Sequence, residues 1–339
     1  MKKVLLHIGS GKTGTSSIQN ALAAQSRGAD APFHYPMITD NGNQSLEVVF
    51  KSYERLSRGL KTKFSQNVEH KEFKEFYSES LSRHAENKNL LLSSEHMFYF
   101  ELDEILKLKS FLEERRFTRF KVVLYLRDPA SYYTSFIQQK VKASFTIPSP
   151  LEFYPKYKML VSNWSEVFGE DLCIREFNRK KMENGNVLDD FSMIVSEFFG
   201  KNVVLSSDLA NESISAEGMK VLQEFRKIFF RKEENRFAKE SNCLLKKIVD
   251  IEKAQPGSKP KLKEYYKQII KRNCVVDMLA LKEFGVFEDF NENVEIDNLE
   301  NDMKVGLFTG DVASLMDAFD SKHYKYIMHQ MLYDLCSTT

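Results

Sequence analysis

Residues 9–17 of this chain read Gly-Ser-Gly-Lys-Thr-Gly-Thr-Ser-Ser, and those residue types at that spacing suit the binding of an anion. Lys12 supplies a full positive charge, while Thr13, Thr15, Ser16 and Ser17 supply hydroxyl donors. Gly9, Gly11 and Gly14 permit a sharp bend and let a ligand approach the backbone. The chemistry that fits is retention of a phosphate or a close relative of one. A glycine turn carrying a solvated lysine is the plainer alternative. The familiar triphosphate-binding spacing, G-x-x-x-x-G-K-[ST], is met only in part. Gly11-Lys12-Thr13 fills its last three positions, but Leu6 stands where the first glycine belongs. The cradle is therefore a shorter one, K-T-G-T-S-S, set directly behind an apolar run.

The elements that must position this loop are a strand and a helix. Val4 to Ile8 is a short apolar run of the kind that forms a buried strand. From Thr15 onward Ile18, Ala21 and Leu22 recur at helical spacing. A strand, a glycine loop and a helix in that order leave backbone N–H groups at the helix N-terminus, where partial positive charge favours an anion.

Two more polar clusters stand at the ends of apolar runs. Asn89 to Ser94 reads as a second strand and ends in Glu95-His96. Phe120 to Leu126 reads as a third and is followed by Arg127-Asp128-Pro129. Asp128 suits an N-cap and Pro129 the first helical position, with Tyr132, Tyr133, Phe136, Ile137 and Val141 continuing a helix. Ser131 and Ser135 fall one and two turns into it. An arginine fork with a hydroxyl at that spacing can hold a second phosphate, and a surface salt bridge between Arg127 and Asp128 is the alternative. In an open parallel sheet, ligands sit beyond the carboxyl ends of the strands, where all three clusters are expected.

The remaining pattern supports such a sheet. Asp171 to Phe177 is a fourth expected strand, and Glu101 to Glu114, Tyr157 to Phe168 and Val187 to Phe199 are expected helices, the last stopped by Gly200. Apolar strands separated by helices imply a parallel sheet covered on both faces. Ala29 to Asn43 is expected to be loop, residues 44–87 amphipathic helices with His70 and His84 at the surface, and 211–271 helical with a break at Gln255-Pro256-Gly257-Ser258. Residues 275–339 carry no assignment.

K-T-G-T-S-S after the first strand, joined with Y-L-R-D-P-x-x-x-x-x-S, resembles the sulfotransferases that use 3′-phosphoadenosine 5′-phosphosulfate (PAPS), in particular bacterial carbohydrate-type members. Asn211 to Ser215, N-E-S-I-S, also resembles those members and carries no chemical role here. The resemblance spans roughly residues 3 to 220. It implies a P-loop-like three-layer α/β fold, a central parallel sheet flanked by helices, in a single domain of residues 1–339. The core would be about 1–210, with a helical insertion at about 44–88 and a mainly helical C-terminal part. It implies that Gly11, Lys12, Thr13, Gly14, Thr15, Ser16 and Ser17 hold the 5′-phosphosulfate, and that Arg127 and Ser135 hold the 3′-phosphate. The expected reaction moves the sulfuryl group to a hydroxyl or amine of a glycan or glycolipid-type acceptor and leaves PAP, with no metal required. Lys12 is the candidate for stabilising the leaving oxygen. Glu95 is the first candidate for the base, His96 the second and His7 the third, although the strand position of His7 suits a core residue too. Ile174-Arg175-Glu176-Phe177 lacks the tyrosine that many cytosolic members place near the adenine, so no adenine contact is assigned. An ATP-dependent P-loop kinase and a non-catalytic module binding phosphoadenosine nucleotides are the rival readings.

Composition sets the outer bounds. The 339 residues are 42% hydrophobic and 12% aromatic, enough for a sizeable core. Forty-nine basic against 48 acidic residues give a net charge of +1, and no global reason to expect nucleic acid. Cys173, Cys243, Cys274 and Cys336 are scattered without a C-x-x-C pair, as in a reduced cytoplasmic protein. The first strand starts too near Met1 to leave room for a secretory leader, and no apolar run approaches the roughly 18 residues that span a bilayer.

Overall fold

The computed structural model describes residues 1–26, 31–38, 42–61, 67–85, 88–206, 213–234, 236–291 and 308–337. Parts of the expected 29–43 loop, and Asn211 and Glu212 of N-E-S-I-S, lie outside the described residues. The chain divides into two compact units: Met1–Asp128 with Lys156–Ala210 and Asp277–Glu288, and Pro129–Pro155 with Asn211–Val276 and Asp289–Thr339.

The first unit is built on four parallel strands, β1 (Lys2–His7), β2 (Leu90–Ser93), β3 (Phe117–Leu126) and β4 (Leu172–Glu176), in the order β2-β1-β3-β4. Its helices include α1 (Thr15–Gln25), α2 (Ser45–Phe50), α3 (Arg58–Lys61), α4 (Asn67–Ala85), α5 (Leu102–Glu114), α7 (Tyr157–Phe168) and α8 (Val187–Phe199), with most of a helix at Val275–Lys282; α6 (Pro129–Lys140) belongs to the second unit. Side chains alternate across the sheet, which sorts the apolar runs into two cores. Leu5, Leu91, Val123 and Tyr125 pack with Ile18 and Leu22 of α1 and Phe191 and Val195 of α8. In the core of α5 and α7, Phe100, Trp164 and Phe168 stack in series, with Trp164 5.7 Å from Phe168 and Phe168 5.7 Å from Phe120. Each fully buried side chain of this size contributes about 1.5–3 kcal/mol. This is the three-layer α/β arrangement, with helices on both sheet faces.

The boundaries shift by one to three residues from the sequence expectation. β3 begins at Phe117 because Lys2 and Lys3 of β1 pair with Phe117 and Arg119, so a partner strand extends it past the apolar run. Glu101 caps α5 in a reciprocal capping box with Glu104. Val187–Phe199 ends as expected at Gly200, whose φ is 72°.

Two histidines expected at the surface are not there. His70 is buried, its ring 5.8 Å from Tyr53, and half-buried His84 has Nδ1 2.7 Å from His34 Nε2. The reason is helical phase: His70, Tyr77, Leu81 and His84 share one face of α4, and Leu81 is fully packed.

The second unit is helical. Among its described helices are α6, α9 (Ala216–Phe229), α10 (Lys239–Ala254), α11 (Glu264–Asn273) and a last long helix, Ser321–Ser337. α9 ends at Phe229 and α10 starts at Lys239, so the helical stretch is broken there as well as at the expected 255–258. Ser215 caps α9, its Oγ accepting from the Gly218 N–H at 2.9 Å. Among the described residues no helix is long and apolar enough to cross a membrane.

Candidate functional site

The strand order places β1 beside both β2 and β3, so the chain leaves β1 toward one side and β3 toward the other. In open parallel sheets ligands bind beyond the carboxyl ends of the strands at such a switch point. The Lys12 loop follows β1 there, and Arg127 follows β3.

The loop is shaped from within. Thr13 is buried, and its hydroxyl donates to the Ser10 carbonyl at 2.6 Å. Ser10 Oγ donates in turn to the Tyr125 carbonyl on β3 at 2.9 Å. These bonds commit two hydroxyls to holding the loop shape. Lys12 takes a left-handed conformation with φ 66°, uncommon for a residue with a side chain and a sign of local strain. Gly14 follows with φ 78°, and a Cβ there would stand 2.8 Å from Val187 Cγ1. Gly14 is the N-cap of α1 and offers no side chain to cap it. The N–H groups of Thr15, Ser16 and Ser17 thus stand where a helix end favours an anion. Ser16 is exposed and Ser17 half-buried; Thr15 is 3% exposed, and its Oγ1 meets no polar partner. Gly11 and Lys12 are partly exposed at the turn.

Arg127 is half-buried and reaches the loop: Nη1 donates to the Lys12 carbonyl at 3.0 Å. The Tyr157 hydroxyl donates to the Arg127 carbonyl at 3.0 Å, and the guanidinium lies 5.5 Å from the Phe177 ring centroid. Among the described residues Arg127 makes no ion pair, so the salt bridge with Asp128 is not formed. Burial lowers its pKa from the ordinary arginine value, and Tyr157 and Asp128 oppose that shift. A desolvated cation without a carboxylate partner is poised for an anion from outside. Ser135, expected beside Arg127, lies half-buried on α6 in the second unit.

His7 ends β1 fully buried, with Nδ1 2.7 Å from Ser93 Oγ and its ring 5.0 Å from Phe191. Burial brings its pKa down to about 3, so the imidazole is neutral at physiological pH. Gly9 passes close above it: a Cβ there would lie 2.8 Å from His7 Nε2 and 2.7 Å from Thr15 Oγ1.

Glu95 and His96 open a 3-10 turn, Glu95–Tyr99, directly after β2, and both are half-buried. The Glu95 carboxylate makes no hydrogen bond or ion pair among the described residues. His96 Nδ1 lies 2.7 Å from Oε2 of Glu47, a buried acid on α2. Glu47 Oε1 also accepts from Lys51 Nζ at 3.2 Å and from the Ser57 N–H at 2.7 Å. Burial alone would raise the Glu47 pKa, but His96, Lys51 and Ser57 outweigh it and bring it to about 2.

Glu47 and Ser93 are the neighbours that sequence reasoning passed over. Glu47 sat unremarked in a polar helical stretch, and only the S-L-E-V-V-F pattern, with its acid among apolar residues, hinted at burial. Among the described residues no group of three or more side chains is arranged to hold a metal ion. Comparison with known proteins adds nothing to this geometry: no family model, no curated protein and no solved structure matches the chain.

Proposed function

We propose that the chain is a sulfotransferase that takes the sulfuryl group from PAPS and passes it to a hydroxyl or amine of a carbohydrate-type acceptor. One observation carries the reading: Arg127, a half-buried cation without an ion pair, lies against the Lys12 loop at the switch point. The donor has two anionic ends, a 5′-phosphosulfate and a 3′-phosphate, and the two segments offer two anion-binding sets. The uncapped first turn of α1 and the orphaned Thr15 hydroxyl fit the former.

When bound, the donor supplies an activated sulfuryl group and a phosphate leaving group. Lys12 neutralises charge gathering on the leaving oxygen, aided by the helix N–H groups. Arg127 binds the 3′-phosphate with the donors that Lys12 does not occupy. The acceptor proton goes to a base at the end of β2. Glu95 and His96 both stand there, and the Glu47 carboxylate 2.7 Å from Nδ1 favours His96, because a neighbouring carboxylate orients the ring of a histidine base. Burial with a pKa of about 3 makes His7 the weakest of the three candidates.

Calorimetric titration with PAP, with ADP as control and magnesium omitted, tests the donor class. Binding of PAP with no heat from ADP is expected. Preference for ADP, or for ATP once magnesium is restored, would put the P-loop kinase in its place. PAP binding with no transfer to any glycan acceptor would leave the non-catalytic module.

A further inference from the structure

We propose that His7 is a positioning residue of the anion loop: its imidazole carries a hydrogen bond from Ser93 to Thr15 and so turns the Thr15 hydroxyl proton toward the bound oxyanion. The inference rests on residues 9–17 being an anion loop.

The proton count around His7 leads there. Ser93 is fully buried, and among the described residues its hydroxyl contacts one polar side-chain atom, His7 Nδ1 at 2.7 Å. A buried hydroxyl needs an acceptor for its proton. Were Nδ1 protonated, the Ser93 proton would have none; with Nδ1 accepting, the ring proton sits on Nε2. That atom is buried without a partner, and so is Thr15 Oγ1. The two orphans flank one glycine, each within 2.8 Å of the point that a Gly9 Cβ would occupy. Buried polar atoms without partners are rare in folded proteins, and two around one Cα beside an anion loop point to a ligand-bound arrangement.

The directions of the bonds then follow. Ser93 O–H donates to Nδ1, and Nε2–H donates to Thr15 Oγ1. Thr15 has spent an acceptor lone pair, so its own proton remains for the oxyanion at the α1 N-terminus. No proton changes owner and no bond breaks; the relay sets orientation only. The Nε2–Oγ1 contact closes when the anion draws the Thr15 side chain into line. An imidazolium would donate at both nitrogens, reversing the Ser93 bond and leaving the Ser93 proton without an acceptor, and the apolar rings of Phe191 and Tyr125 around His7 disfavour that charge.

Nitrogen-15 NMR of His7 in the free protein at neutral pH is expected to find the proton on Nε2. Calorimetry with PAP and with inorganic pyrophosphate then compares four variants, each checked for folding by its melting temperature. His7→Asn, which keeps an acceptor near Nδ1 but no donor near Nε2, is expected to weaken both ligands about tenfold. His7→Gln, whose amide N–H reaches the Nε2 position, is expected to bring affinity back within about threefold. Thr15→Val is expected to lose as much as His7→Asn, and the double variant no more than either. A proton on Nδ1, or losses that add in the double variant, overturns the relay alone. If His7→Asn does not fold, the tautomer decides together with Thr15→Val. Wild-type protein that holds pyrophosphate but not PAP overturns the donor reading alone; holding neither overturns both.

Discussion

The Arg127 guanidinium, at the end of β3, donates from Nη1 to the main-chain carbonyl of Lys12 at 3.0 Å, joining two segments 115 residues apart in the chain. The bond costs Arg127 one of five N–H donors and leaves its charge uncompensated by any ion pair among the described residues. A bond to a carbonyl fixes the guanidinium plane without neutralising it. Placement and charge are both then available to a ligand.

Arg127→Ala is expected to remove the distinction between PAP and AMP, which lacks the 3′-phosphate. A charge-assisted contact contributes about 1.5–3 kcal/mol, so PAP affinity should fall by about 10- to 100-fold while AMP affinity changes little. Arg127→Lys should recover only part, because an ammonium cannot bond the Lys12 carbonyl and a phosphate in one plane. Parallel titrations with the two nucleotides check this; an equal loss for both would assign Arg127 to loop shape alone.

Gly14→Ala is expected to damage both stability and binding. The left-handed φ of 78° and a Cβ 2.8 Å from Val187 Cγ1 together cost about 1–3 kcal/mol. Urea denaturation measures the first effect and PAP titration the second. Gly200→Ala at φ 72°, where a Cβ meets nothing within 4 Å, controls for strain without overlap.

Acid should destabilise the fold through His7 before it does so through Glu47. With a folded pKa of about 3 against 6.5, His7 stays neutral in the native state while the unfolded chain binds a proton. Stability is thus full above pH 6.5 and falls toward pH 3, by about 1.4 kcal/mol per unit. Glu47, about 2 against 4.5, has the same sign over a lower window: its contribution is full above pH 4.5 and is lost toward pH 2. Unfolding followed by pH should give a shallower slope between pH 6.5 and 4.5 for His7→Gln. An unchanged slope there would mean that His7 is charged in the native state.

Removing the Glu47 carboxylate should destabilise the end of β2. Glu47→Ala strands Lys51, the Ser57 N–H and His96 around a buried void, and breaking a buried pair in this way costs about 3–5 kcal/mol. His96→Gln should cost less stability, since His96 is only half-buried, yet lower turnover by about 10²–10⁴-fold once an acceptor is in hand. If Glu95→Gln carries the larger loss of turnover, the carboxylate is the base.

Much of this protein was legible in the chain. Val4 to Leu6, Leu90 to Leu92 and Val122 to Leu126 are unbroken apolar runs, and a strand covered on both faces leaves such a run because either side must exclude water. Glycines at residues 9–14 marked the turn between the first strand and the first helix because few residue types tolerate that backbone. Asp128-Pro129 and Gly200 marked a helix start and a helix stop through local steric rules. All of these signals act within a few residues, and local sequence determines them.

Tertiary structure alone decided the rest. Nothing in the spacing of Lys12 and Arg127 revealed that one would bond the other, because strand order sets which loop ends are neighbours, and strand order depends on crossovers between distant segments. The burial of His70 depended on which face of α4 packs inward, and the pairing of His96 with Glu47 on a short helix docked against the turn that follows β2. His7 is the sharpest case. Its position at the end of a strand allowed a base or a core residue, and packing against Ser93 and Phe191 decided that it is buried and neutral. Burial and partners beyond a residue's own element set its protonation, and those come into being only when the chain has folded.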